Sequence, residues 1–368
     1  MEKVRAFLAR TNITFSAKRY FIDAMSAMAQ GLFCTLLVGT ILDTIGKQFG
    51  IDFLTDTFLT IKQGDVTFYY TIGGFCSLMV GPAMAVAIGK ALEAPPLVLF
   101  SLITVGFATN VLGGTGGPLA VFFVAILAAE VGKAISKETK IDILVTPIVT
   151  ILAGIGFAAL VARPIGTAAT SVGDAIKWAT ELQPFFMGIL VSVIIGVALT
   201  LPISSAAICA ALGLTGLAGG AAVAGCCAQM VGFAVMSFRE NRWGGLAAQG
   251  LGTSMLQMGN IVRNPRVWIP PTLAAAITGP VATCLFRLEM NGAPVSSGMG
   301  TCGLVGQIGV YTGWVNDVAS GAKAAVTGMD WLGLVLISFV LPAVLTWLIA
   351  VPLRKWGWIK DGDLKLDL

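Results

Sequence analysis

The chain has 368 residues, of which 56% are hydrophobic and 11% charged, with a formal net charge of +4 and a mean hydropathy of +0.88. That balance excludes a soluble domain, and the small positive charge, gathered mainly at the ends, excludes nucleic acid as a natural partner. There is no histidine, which removes histidine metal ligands, histidine acid–base chemistry and any phosphohistidine on this chain.

Residues 1–19 carry Lys3, Arg5, Arg10, Lys18 and Arg19 against Glu2, an arm that the positive-inside tendency places in the cytoplasm. The apolar stretch behind it lacks a small-residue cleavage site, so it reads as a first span over 22–45 and not as a signal peptide. A polar connection, 47–65, leads to a second span expected over 68–92, where Gly73, Gly74, Gly81 and Pro82 permit close packing or a kink. After Pro95-Pro96 a third apolar run reaches Asn110. The glycine-rich stretch 112–118 follows, then a span ending near Lys133, a mixed-charge loop and a span over 143–161.

Residues 165–183 mix Asp174, Lys177, Trp178 and Glu181 with apolar residues at helical spacing. This pattern suits a helix lying at the interface or a connector between subdomains. A strong span over 185–201 breaks at Pro202 into a short or re-entrant helix, and a small-residue span over 217–238 contains Gln229. Residues 244–260 are too polar for a lipid-facing span and too apolar for a loop. A span over 267–286 opens at Pro270-Pro271, and residues 292–306 are too rich in glycine for a regular helix and read as a hairpin. The last span, 332–353, ends at Arg354 and Lys355, which place that end in the cytoplasm as well.

The expected fold is therefore an all-α polytopic membrane protein with eight to ten transmembrane helices and re-entrant hairpins. One membrane domain, 20–353, lies between an arm, 1–19, and a cytoplasmic tail, 354–368. The seven cysteines, Cys34, Cys76, Cys209, Cys226, Cys227, Cys284 and Cys302, lack CxxC spacing and read as small buried thiols.

Polar groups at membrane depth are costly unless they line a cavity or are buried in protein, so a site is expected within 250–306. Glu289 reads as a cavity carboxylate accepting hydroxyls, as an interface charge, or as the ion-pair partner of Arg287. Asn291, Thr301, Gln307, Gln257 and Asn260 supply neutral donors and acceptors for hydroxyls, or else interhelical hydrogen bonds. Gln229 reads as a helix–helix contact. Ser204 and Ser205 either open a half-helix toward a ligand or cap it. Asn110 and Thr115 are the matching candidates in the first half, where Gly114-Thr115-Gly116-Gly117 is echoed by Gly300-Thr301-Cys302-Gly303. Arg263 and Arg266 suit a phosphorylated product, a cytosolic partner or lipid headgroups. With no nucleophile–base pair, Walker-type loop or metal-ligand cluster, neither a cofactor nor catalysis by this chain alone is expected.

Segments 143–166 (ILVTPIVTILAGIGFAALVARPIG) and 170–207 resemble the membrane enzyme IIC subunits of the bacterial sugar phosphotransferase system, with the fructose-type branch as a distant relative. The runs GCCAQMVGFAV (225–235), NIVRNP (260–265) and SGMGTCG (297–303) are similar to an IIC-like group that includes the perfringolysin O regulator. The resemblance implies a homodimeric permease of the bacterial inner membrane. It would carry a sugar-like solute by elevator-type motion of a transport subdomain against a scaffold, with a cytosolic IIB-type partner. The fructose-type branch has a glutamate in a GITEGAIPF-like motif, which falls on residues 252–260 here with Met255 in place of the acid. Its PHGG-like motif falls near Ser296 to Gly300, without the histidine. No attached IIA or IIB domain is expected, which bears against coupling to phosphorylation; the missing acid and histidine, and the regulator within the resembling group, support a second reading, a membrane solute sensor regulating gene expression.

Overall fold

Inside a bilayer a backbone must satisfy its own hydrogen bonds, so runs of Leu, Ile, Val and Ala become helices. The computed structural model describes residues 7–63 and 66–366, and these form an all-α polytopic membrane protein with one short β-hairpin. Among them, seven helices are long and apolar enough to cross a membrane, or eight when one bent pair counts as a span. A further apolar helix, Pro184–Thr200, has 17 residues. Contacts divide the chain into two compact units, Met1–Ala168 and Ala169–Leu368.

The first unit starts with α1 (Arg19–Asp43). The polar connection after it contains strand β1 (Leu59–Gln63), which pairs antiparallel with β2 (Val66–Tyr70) just beyond it. The expected second span over 68–92 is thus not one helix. It begins in β2 and continues as α2 (Ile72–Leu78) and α3 (Val80–Ala91), bent by 49°. Pro82 has no N–H for the carbonyl one turn before it, which breaks the ladder at that point. Helices α4 (Pro96–Gly113) and α5 (Gly117–Ile135) follow. A Cβ on Gly81 would collide with the Gly106 carbonyl, and one on Gly106 with that of Gly81, so two glycines let α3 and α4 touch backbone to backbone.

Helix α6 (Asp142–Thr180) has 39 residues and runs on through Pro164, so 165–183 is not a separate interfacial helix; the division between the two units falls within it, which fits the alternative of a connector. At a rise of 1.5 Å per residue it is about 58 Å long, well beyond the roughly 30 Å of hydrocarbon that one crossing needs. One lost hydrogen bond at Pro164 does not end a helix of this length.

The second unit is built around α9 (Gly216–Met236), with 89% of its apolar window buried. Before it come α7 (Pro184–Thr200) and the short α8 (Ser205–Ala211), about two turns long. After it come α10 (Phe238–Ala247), α11 (Met258–Arg263), α12 (Pro265–Leu285), α13 (Val305–Ala319) and α14 (Gly328–Lys355). Alanine, glycine and cysteine let neighbours approach α9 from every side. A Cβ on Gly196 would lie 2.7 Å from the Gly225 carbonyl, and one on Gly232 would lie 2.6 Å from Thr346 Oγ1. Of the cysteines expected to be buried, Cys34 and Cys284 are exposed, on apolar helix surfaces.

Candidate functional site

Three sets of polar groups lie along α9, one at each end and one beside its middle. At its N-terminal end the chain 288–291 runs alongside. Gly216 and Met290 form an isolated antiparallel bridge, and Asn291 Oδ1 accepts the Gly216 amide proton at 3.1 Å. Asn291 Nδ2 donates to Asp317 Oδ2 at 2.8 Å and to Glu289 Oε2 at 3.2 Å. Glu289 is exposed, on the rim of a cleft of about 230 Å³ that Arg287, Asp317, Lys323 and Asp330 also line. Lys323 pairs with Asp330 at 2.8 Å.

Beside the middle of α9 lies the glycine hairpin, two 3-10 turns over Pro294–Gly298 and Cys302–Leu304. It is closely packed. Ser205 Oγ donates to the Gly298 carbonyl at 2.8 Å, which ties α8 to the hairpin, and Thr301 Oγ1 donates to the Gly250 carbonyl at 2.5 Å. A Cβ on Gly298 would meet the Ser205 carbonyl at 2.7 Å, and Gly300 holds φ at +54° against Cys226, where any other residue would be both strained and crowded. Gln307 Nε2 donates to Ser338 Oγ at 2.9 Å and to Cys227 Sγ at 3.3 Å, while its Oε1 is buried without a protein donor. Gln229 bonds Thr200, Trp268 and Thr272, bridging α7, α9 and α12.

At the C-terminal end of α9 is a relay of amides on irregular backbone. A π-turn at Ala248–Gly252 and a 3-10 turn at Ser254–Gln257 replace regular helix there, so the side chains of 249–260 converge instead of fanning out. Gln249 Nε2 donates to Ser237 Oγ at 2.8 Å, Gln257 Nε2 to Gln249 Oε1 at 2.8 Å, and Asn260 Nδ2 to Gln257 Oε1 at 2.8 Å. Gln249 and Gln257 are fully buried.

A strap, residues 356–366, closes over this cradle. Asn241 Nδ2 and Gln257 Nε2 both donate to the Leu364 carbonyl, at 2.8 and 3.1 Å, and Asn260 Nδ2 donates to the Lys365 carbonyl at 2.9 Å. The Leu366 amide returns a proton to Asn241 Oδ1 at 2.8 Å. Asn264 Nδ2 reaches the Trp358 carbonyl and Asp363 Oδ2 at 2.9 and 2.8 Å. The strap is anchored by Ile359 and Leu364, both buried, and by Arg266 over the Trp358 ring at 5.3 Å. Arg354 bonds the Met236 carbonyl at the end of α9, where the helix dipole favours a cation, and pairs with Glu240 at 3.0 Å and Asp361 at 3.1 Å.

The sequence candidates therefore do not form one cluster. From Gly216, which holds Asn291, to Ser237, which holds Gln249, is about 31 Å of helix. Glu289 and Asn291 lie at one end of that distance, Gln257 and Asn260 at the other, and Thr301, Gln307 and Ser205 between them. Ser204 sits half-buried just ahead of α8. Asn110, in the first unit, lies in the last turn of α4 against Gly81 and Gly117; the side chain of Thr115 lies outside the described residues. Gly114 and Gly300, the echoed glycines, both have positive φ, +52° and +54°. The sequence reading did not single out Asn241, Gln249 or Asn264. The signal was available, because five side-chain amides fall within 241–264. Among the described residues no three His, Cys, Asp or Glu side chains converge as a metal site would require.

The family model described as phosphotransferase system, EIIC matches residues 22–366. The chain belongs to that family. This EIIC protein is thus a multi-pass membrane component of a sugar transport system, and the cradle and the hairpin both fall inside the matched region. No curated protein and no solved structure matches it.

Proposed function

We propose that this EIIC protein is the permease subunit that carries a sugar or sugar derivative, and that the solute is held at the cradle of Gln249, Gln257 and Asn260. One observation carries the reading: Gln257 and Asn260 turn N–H donors toward carbonyl oxygens of the strap, which are acceptors of the kind a sugar hydroxyl also offers. Neutral amides that both donate and accept suit a solute of many hydroxyls and no charge. Membership in the family supports a homodimer and a separate IIB-type partner in the cytosol.

The strap end of α9 gathers Arg239, Arg242, Arg263, Arg266, Arg354 and Lys355. By the positive-inside tendency this supports an inner-membrane orientation with that end, and the arm 1–19, in the cytoplasm. The two units support elevator-type alternating access, with one as scaffold and one as carrier. The sensor reading keeps one specific argument, that buried Met255 stands where the fructose-type motif has its acid. Uptake of labelled hexoses, hexitols and amino sugars into proteoliposomes, with a IIB-type protein present or absent, tests the proposal. Saturable uptake of one of them is expected; binding without uptake would favour the sensor.

A further inference from the structure

The strap raises a question that transport by itself does not answer. A backbone segment with two buried anchors fills a cradle of side-chain amides and satisfies donors that would otherwise be left for a solute. We infer that the cradle is a binding site whose occupant in this state is the chain's own segment 356–366, held reversibly, so that strap and solute exclude one another. The inference rests on the reading of the cradle as the solute site.

Three features argue for a removable plug and against a permanent part of the core. First, the cradle meets the strap mainly through main-chain atoms. The carbonyls of Trp358, Leu364 and Lys365 accept, and the Leu366 amide donates. A ligand with oxygens at similar spacing can replace such contacts one for one. Second, only Ile359 and Leu364 of the strap are deeply buried, while Trp356, Lys360, Asp361, Gly362 and Lys365 are exposed, so little apolar area resists release. Third, the remaining clasps are polar and near the surface. Asp361, 92% exposed, pairs with Arg354, and Asp363 takes the Asn264 amide. Pairs of this kind are weak and easily exchanged for water. The amides beneath keep their own relay from Ser237 to Asn260 without the strap, so the cradle stays shaped when the strap leaves.

The test uses the full chain in lipid nanodiscs and follows amide hydrogen exchange. In Leu364→Asp, which places a charge at the deepest anchor, residues 241–264 and 356–366 are expected to exchange about tenfold faster or more, while α9 keeps its protection. A synthetic peptide of sequence 356–368, added in excess, is expected to restore the slow rates. Asn241→Leu removes both strap bonds of that side chain without adding charge and is expected to act in the same direction. If Leu364→Asp unprotects α9 as well, Asn241→Leu with peptide add-back decides. Unchanged exchange at 241–264 in the deciding variant, or no recovery with peptide, overturns the inference.

A second readout separates the strap from the sugar. A panel of hexoses and hexitols is expected to bind Leu364→Asp about tenfold more tightly than the parent, because a site open only a tenth of the time loses that factor. Equal affinity in the two proteins, with the strap shown to be released, overturns the exclusion. Release and peptide recovery with no panel member bound by either protein supports the strap as a reversible occupant and overturns the sugar reading.

Discussion

The side-chain carbonyl of Gln229 accepts the indole proton of Trp268 at 2.9 Å, deep between α9 and α12. The same oxygen also accepts from Thr200 Oγ1, and Gln229 Nε2 donates to Thr272, so one amide serves three helices. Gln229→Leu keeps the volume but takes the acceptor from the Trp268 indole N–H and the donor from Thr272, while the Thr200 hydroxyl keeps Ser254 and the Gly196 carbonyl. It is expected to destabilise the protein by about 1–3 kcal/mol, the cost of buried groups without partners. The midpoint of unfolding in detergent measures this, and a midpoint equal to the parent's would assign the network no structural weight.

Gly225 presses its Cα against the Ser192 backbone, and a Cβ there would overlap the Ser192 carbonyl. Gly225→Ala is expected to part α7 from α9 and cost about 1–3 kcal/mol, although alanine is the better helix former. The matching change at Gly156, which has open space around it, is expected to be neutral or slightly stabilising. Equal midpoints for the two variants would contradict the close approach.

In the first unit Lys133 is buried, with Nζ donating to the Leu92 carbonyl at 3.0 Å and to Glu130 Oε1 at 3.1 Å. Lys133→Met leaves Glu130 without its counter-charge, a change expected to cost about 3 kcal/mol or more. The double variant Lys133→Met with Glu130→Gln is expected to recover most of that loss, which a double-mutant cycle of unfolding midpoints reads directly. No recovery would mean that Lys133 matters for its bond to Leu92 and not for the pair.

Asn260 and Glu289 lie toward opposite ends of α9, so a small solute cannot touch both in this state. In the Leu364→Asp background, where the strap no longer competes, Asn260→Ala is expected to weaken solute binding about tenfold or more, as the loss of a paired amide should. Glu289→Gln is expected to change it less than about threefold, no more than the weak end of one hydrogen bond's worth. Isothermal titration with any solute found by the uptake panel compares them; the reverse ranking would move the site to the cleft around Asn291.

Much of the fold was legible because a bilayer leaves the backbone few choices. The apolar runs that became α5, α9 and α14 needed only length and hydropathy, and the glycine density of 292–306 announced the hairpin. The misreadings have particular causes. Residues 68–92 have the composition of a span, but Val66–Tyr70 is rich in β-branched and aromatic residues that suit a strand, and Pro82 then bends the helical stretch behind it. Residues 165–183 looked like a separate element because their polarity changes, yet a change in surroundings along one long helix looks the same in sequence. The cradle was half legible. Gln257 and Asn260 stood out as amides in an apolar chain, whereas the strap meets them through carbonyls of Leu364 and Lys365 that any residue type could supply. Main-chain acceptors leave no trace in the sequence.

Having no bare side, α9 cannot slide past a neighbour or flex at its centre without tearing several backbone contacts at once. Whatever stroke this half of the molecule makes, α9 must travel as a stiff axle. The play is left to its joints, where Gly213 and Gly216 on one side and Arg242 on the other already hold positive-φ backbone. A spectroscopic ruler with one label near each joint should record the swing, while two labels along α9 should stay at a fixed separation throughout.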